Sequence, residues 1–235
     1  MSPNAFDLDV AENAGYRYTT NAPLSSQMAY QRLTEVTLAV SSLKGKRVID
    51  VGCGDGTSTA QMLEVGRPAQ LLGFDVAAEG IRIASERFGE LPGLEFKVGS
   101  IFDTAEIAGG RWDLAVVRGV LHHVDDAAGA LREVGRVADE IVVIEPNGYN
   151  PVLKVIEKVS RYHREHEEKS YPPRSLRRWV RDAGYRVSET TYAGQVPFFC
   201  PDPLARVLKR VEPLAERSPT APLTCAVHVV YGRRN

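Results

Sequence analysis

From Lys46 onward, short apolar runs rich in valine, isoleucine and leucine alternate with stretches whose apolar residues recur at helical spacing. That alternation predicts a parallel sheet covered by helices on both faces. Strands are predicted over 47–51, 70–75, 94–98, 113–117 and 140–144, and helices over 57–65, 77–88, 104–108 and 126–137. In the last of these, Ala127, Ala130, Leu131, Val134 and Val137 form the buried stripe. An earlier helix is marked by Leu33, Val36 and Val40. Beyond Pro146 the rhythm changes. A charged helical stretch over 152–169 carries Val152, Val155, Ile156 and Val159 on one face, and Pro172-Pro173 ends it. Ser175 is placed to cap a second helix running to Ala183, closed by Gly184. A strand over 185–192, a proline-punctuated segment with a helix over 204–215, and a final strand over 225–231 complete the chain.

The first strand of the sheet runs into Gly52-Cys53-Gly54-Asp55-Gly56 and then directly into a helix start. Glycines at this spacing let the backbone turn tightly and let a ligand lie against it without meeting side chains. The helix N-terminus behind them offers N–H groups to an anionic group. This is a nucleotide-type turn. A dinucleotide fingerprint needs a third glycine for close helix packing, and Thr57 stands at that place.

Polar residues that interrupt the apolar pattern sharpen the reading. Asp75 ends the second strand, where a carboxylate accepts hydrogen bonds from ribose hydroxyls; its alternative is to cap the following helix. Asp50 lies inside an apolar strand and needs a partner once buried, either backbone N–H groups of the glycine turn or a cationic ligand. The fourth strand runs out through Arg118-Gly119 into the histidine-bearing turn Leu121-His122-His123-Val124. In a parallel sheet, strand carboxyl ends line the ligand crevice, so this turn faces whatever the glycines hold.

Five stretches, 48–56, 74–75, 99–103, 112–126 and 144–147, resemble in order the motifs of class I S-adenosylmethionine-dependent methyltransferases. The resemblance implies an α/β, Rossmann-like sheet of seven mostly parallel strands, the last antiparallel, with helical insertions forming a cap. It divides the chain into an N-terminal arm and helix (1–45), a cofactor-binding core (46–150), and insertions with the last two strands (151–235). It further implies that Asp50, Gly52, Cys53 and Gly54 hold the methionine end of S-adenosylmethionine and that Asp75 binds its ribose. Val76 would pack on the adenine, Ile101 would bind the cofactor from the loop after the third strand, and Arg118 and Gly119 would pass under the methionine moiety. Two departures stand out. Ser100 replaces the acidic residue usual at the adenine amino group, so either its hydroxyl or Asp103 takes that part. The turn Val137-Ala138-Asp139-Glu140 replaces the Pro-Gly-Gly usually found before the fifth strand.

Methyl transfer asks the protein mainly for positioning and, where the acceptor holds a proton, for a base. The candidates are His123, placed first, then His122 and Glu145, with the other histidine capping the next helix. Glu145 and Asn147 would suit a metal only with a further carboxylate where Arg118 stands, so no metal is expected. The insertions around 152–184 and 196–222 are expected to build the pocket for a small-molecule acceptor, with Tyr171, Tyr192, Phe198 and Phe199 as walls or as core. Residues 16–21, with Arg17, form either a flap over the site or an arm on the surface. The competing readings are an NAD-linked oxidoreductase and a cofactor-binding regulatory protein without catalysis.

Composition adds limits. A net charge of −1 over 235 residues gives no bulk attraction to nucleic acid. The basic stretch 154–181 is interleaved with glutamates and reads as a solvated face, and His163 and His166 on it as surface residues. Three scattered cysteines without a paired spacing suit free thiols, and neither a signal peptide nor an apolar run of membrane-spanning length is visible. The expectation is a cytoplasmic protein without stable membrane insertion.

Overall fold

The computed structural model describes residues 22–159, 169–198 and 200–234. The proposed flap at 16–21, Arg17, His163, His166 and Phe199 lie outside them. Seven strands form one sheet: β1 (Arg47–Val51), β2 (Gln70–Asp75), β3 (Leu94–Val98), β4 (Trp112–Arg118), β5 (Ala138–Pro146), β6 (Arg186–Ala193) and β7 (Val227–Arg233). Their spatial order is β3-β2-β1-β4-β5-β7-β6. β1 to β5 pair in parallel, and β7 enters antiparallel between β5 and β6. The sheet order reverses at β1 and β4, and the crevice outside their carboxyl ends is where open α/β sheets take ligands.

Alternation along the central strands sends side chains to two cores. Ile49, Val51, Phe74, Val117, Ile141, Val143 and Val230 pack on one face with α5 (Ala127–Gly135) and α7 (Pro173–Asp182), through Ala130, Leu131, Val134, Leu176 and Val180. Val48, Leu71, Val116, Val142, Ile144 and Val229 pack on the other face with α1 (Leu24–Val40) and Met62 of α2 (Thr57–Gly66). α3 (Ala78–Phe88), α4 (Thr104–Ala108), α6 (Pro151–Val159), α8 (Asp202–Arg217) and the short α9 (Ala221–Thr224) complete the helices used below. No helix among the described residues is long and apolar enough to cross a membrane.

The predicted strands recur with ends shifted by one or two residues, and the helices shift as little at most ends. Two local expectations change. α7 starts at Pro173 rather than after Ser175, because a proline at the first helical position has its φ preset and no N–H to waste. The cap of α5 is Asp126, whose carboxylate accepts from the Gly129 N–H at 2.7 Å, so neither histidine caps that helix.

Candidate cofactor and acceptor site

The glycine turn is built as the residue types demand. Gly52 has φ of +73°, and a Cβ there would lie 2.3 Å from Val120 Cγ2. A side chain is therefore excluded by conformation and by space together. Gly52 and Cys53 both donate their N–H to the Phe74 carbonyl, at 2.8 and 3.1 Å, which draws the turn onto the end of β2.

Three carboxylates surround this turn. Asp75 spans it: one oxygen accepts from the Gly54 N–H and the other from the Ala77 N–H, both at 2.9 Å. It makes no cap bond to α3, whose N-cap is Ala77. Asp50 is buried and accepts the Thr59 hydroxyl at 2.6 Å. Contrary to the backbone alternative, the N–H of the turn bonds to Asp75, and the partners of Asp50 are Thr59 and the charge of Arg118. Asp55, also buried, accepts the Thr57 N–H at 3.1 Å and so places a carboxylate at the start of α2. The helix terminus expected to receive an anionic group thus already has one from the chain itself.

Burial pushes the carboxyl groups of Asp50 and Asp75 above their ordinary range, against the lowering effect of Arg118 and Thr59 on the first and of backbone N–H groups on the second. Cys53, enclosed in the turn, is pushed well above the usual thiol range by burial and by the charges of Asp50, Asp75 and Asp55.

Val76 and Phe102 are both exposed beyond the ends of β2 and β3, 42% and 43% respectively, while Ile101 is buried. Ser100 accepts the Phe102 N–H at 3.2 Å as the cap of a 3₁₀ turn, and Asp103 is exposed. Gly119, at φ of +66°, turns the chain out of β4 and donates to the Ile144 carbonyl at 2.9 Å. Arg118 reaches Thr34 of α1 at 3.3 Å, and Thr34 in turn donates to Gln61 of α2 at the same distance.

The histidine turn is ordered by Glu145, fully buried at the end of β5. One of its oxygens accepts the N–H groups of Val120 and Leu121 at 2.9 and 2.7 Å; the other lies 2.8 Å from Nδ1 of His122. An ionised carboxylate only accepts, which assigns the hydrogen to Nδ1 and the lone pair to Nε2. The His123 ring packs against that of His122 at a tilt of 46°, with centroids 3.9 Å apart. Glu145 therefore orients His122, not His123, the histidine placed first on sequence. Asn147 is taken up elsewhere: its amide donates to the carbonyls of Pro222 and Cys225. Among the described residues no group of three or more His, Cys, Asp or Glu side chains is arranged to hold a metal.

Sequence reasoning passed over His228. It pairs with Glu145 across β5 and β7 and lies beside Tyr192, ring centroids 5.0 Å apart. It is buried, neither ring nitrogen has a hydrogen-bond partner, and burial with the nearby Arg177 charge pushes its pKa down to about 4. The signal was present: a histidine inside an apolar strand is the same anomaly that singled out Asp50. Tyr171 packs edge-on against Trp179 and donates to the Leu121 carbonyl at 3.2 Å, closing the histidine turn from the α7 side.

A family model for a methyltransferase domain matches residues 42–184, more than half of the chain. The chain belongs to the class I S-adenosylmethionine-dependent methyltransferases. It is 33% identical over 113 residues to the ubiquinone biosynthesis O-methyltransferase of Bordetella parapertussis, covering 46% of this chain and 44% of that protein. To the O-methyltransferase resE of Aspergillus sclerotiorum it is 27% identical over 194 residues, covering 76% and 70%. The matched part thus spans under half the length of the first of these relatives. In structure the chain resembles magnesium protoporphyrin IX methyltransferase of Synechocystis, solved with SAH bound. The TM-score is 0.63 at 16% identity, over 90% of this chain and 84% of the other. The family match covers the glycine turn, the histidine turn, Glu145 and α7; β6, α8 and β7 lie beyond it.

Proposed function

We propose that this protein transfers a methyl group from S-adenosylmethionine to an oxygen or nitrogen of a small molecule, with oxygen favoured by the names of the relatives. One observation carries the choice of cofactor: Asp50, Asp55 and Asp75 cluster around the glycine turn. At the start of α2 the Asp55 carboxylate, paired with Arg87 at 3.5 Å, already accepts the Thr57 N–H that the pyrophosphate of a dinucleotide would need. A cofactor carrying an ammonium and a sulfonium instead meets charge of the opposite sign. Gly52 itself is fixed by the protein, since Val120 occupies the space a side chain there would take.

In this reading Asp75 accepts the ribose hydroxyls through the lone pairs left beside its two backbone bonds, and Gly52, Gly54 and Gly119 form the bed for the methionine part. Asp50, Cys53 and Arg118 support that bed from beneath. Val76 and Phe102, with Ile101 behind, enclose the adenine, and Ser100 shapes the loop that carries two of them. When bound, the cofactor supplies an electrophilic methyl group. His122 acts as general base: Nε2 takes the acceptor's proton while Nδ1–H stays bonded to Glu145, which stabilises the imidazolium formed. His123 holds the ring of His122 by tilted ring contact. Residues 151–235 outside the last two strands build the acceptor cap, with Tyr171 and Tyr192 at its floor.

The test is methyl transfer to a panel of phenols, hydroxy acids and amines, read as S-adenosylhomocysteine release. His122→Ala should lower turnover by roughly 10²–10⁴ and leave S-adenosylhomocysteine affinity unchanged. A wild-type rate in that variant would remove His122 from the chemistry.

A further inference from the structure

α8 lies at the edge of the molecule, and its two faces differ sharply. Its inner face holds the acids. Glu212 and Glu216 accept the N–H groups of Gln195 and Gly194 at 3.0 and 2.8 Å. Glu216 pairs with Arg32 of α1 at 2.6 Å and Glu212 with Lys209 at 2.7 Å. Its outer face carries Leu204, Val207, Val211 and Leu214, which are 47%, 56%, 44% and 73% exposed. Spacings of three and four residues put them in one row, about 15 Å long at 1.5 Å per residue. Beside it, Arg206, Arg210 and Arg217 form a second exposed row at the same kind of spacing. Asp202, at the first turn, is the one outward acid among the described residues of this helix.

A row of aliphatic side chains left in water costs free energy that a solvated helix face does not need to bear. Two occupants would cover it. A second copy of α8 brings the same arginine row and one outward acid. An anionic lipid surface meets all three guanidinium groups with opposite charge and receives the aliphatic row at the boundary of head group and acyl chain, the arrangement of interfacial amphipathic helices. We propose that α8 is a peripheral docking surface for anionic lipid, lying in the plane of the interface without crossing it. The proposal uses none of the residues assigned to proton transfer or cofactor binding.

The test is co-sedimentation of the full chain with vesicles of phosphatidylcholine alone and with one third phosphatidylserine. Binding is expected to the mixed vesicles, to fall as salt is raised, and to be weak on phosphatidylcholine. Arg206→Gln with Arg210→Gln should weaken it roughly twentyfold, at a few-fold per surface charge. Val207→Asp with Val211→Asp should abolish it, circular dichroism confirming the fold. No binding to mixed vesicles overturns the proposal, as does equal binding to both vesicle types. So does a dimer by light scattering that the valine variants dissolve, which would assign the face to a second copy. The arginines are exposed and outside the core, so their variant decides the matter even where the valine pair disturbs folding.

Discussion

Of the two neighbouring histidines, His122 is the one whose Nδ1 meets Glu145. Glu145 takes Nδ1 of His122 at 2.8 Å while also holding the backbone of the turn, so its removal would disturb orientation and fold together. Glu145→Gln keeps an acceptor for the N–H groups of Val120 and Leu121 but changes what faces Nδ1. It should lower methyl transfer strongly while the melting temperature falls little; equal losses in both would make Glu145 a structural residue alone. His228 offers a cleaner measurement. Its pKa is depressed from 6.5 to about 4 in the folded state, so the unfolded chain binds the extra proton as pH falls between these values. Stability is fully present above pH 6.5 and is lost as pH drops through the folded pKa, by up to about 3 kcal/mol. Urea titrations of His228→Phe should show a flatter pH dependence over that window than the wild type. An unchanged slope would mean that the imidazole is solvated in the folded protein.

At the scale of elements, the β1 turn and the end of β2 act as one unit. Asp75 belongs to both through its bonds to Gly54 and Ala77. Asp75→Ala should therefore weaken S-adenosylhomocysteine binding by on the order of 1.5–3 kcal/mol and also cost about 1–2 kcal/mol of stability without ligand, as two buried N–H groups lose their acceptor. Calorimetry and unaided melting separate the two; wild-type affinity in this variant would leave Asp75 a brace only. Gly52→Ala puts a methyl group 2.3 Å from Val120 at a φ that L-residues avoid. The expected loss is on the order of 1–3 kcal/mol, with cofactor affinity falling in parallel.

For the whole molecule the decisive measurement is which nucleotide stabilises it. S-adenosylhomocysteine should raise the melting temperature, corresponding to about 2.7 kcal/mol at a hundredfold excess over Kd, and NADH should not. A shift with NADH alone would reverse the reading drawn from the three carboxylates. At this scale β6, β7 and the helices around them distinguish the molecule: they place His228 opposite Glu145 and beside Tyr192 and carry the exposed row of α8.

The pattern of apolar positions determined the central strands β1, β2, β4 and β5 and the order of helices between them, because burial on both faces of a parallel sheet demands apolar runs. The glycines of the β1 turn and Asp75 were legible for a similar reason: their local conformation and strand-end place leave few other uses. What needed the tertiary structure were the contacts that cross strands. Thr59 as the partner of Asp50, the carboxylate of Asp55 at the helix start, and Glu145 taking His122 instead of His123 depend on which side chains meet after the sheet has closed. Adjacent histidines are alike in sequence and differ only in which way the turn points them. The antiparallel last strand was already implied by the family resemblance, but its register with β5 was not: that register brings His228 against Glu145, more than eighty residues earlier in the chain. Local chemistry was written along the chain; the pairing of distant groups was decided by the packed sheet.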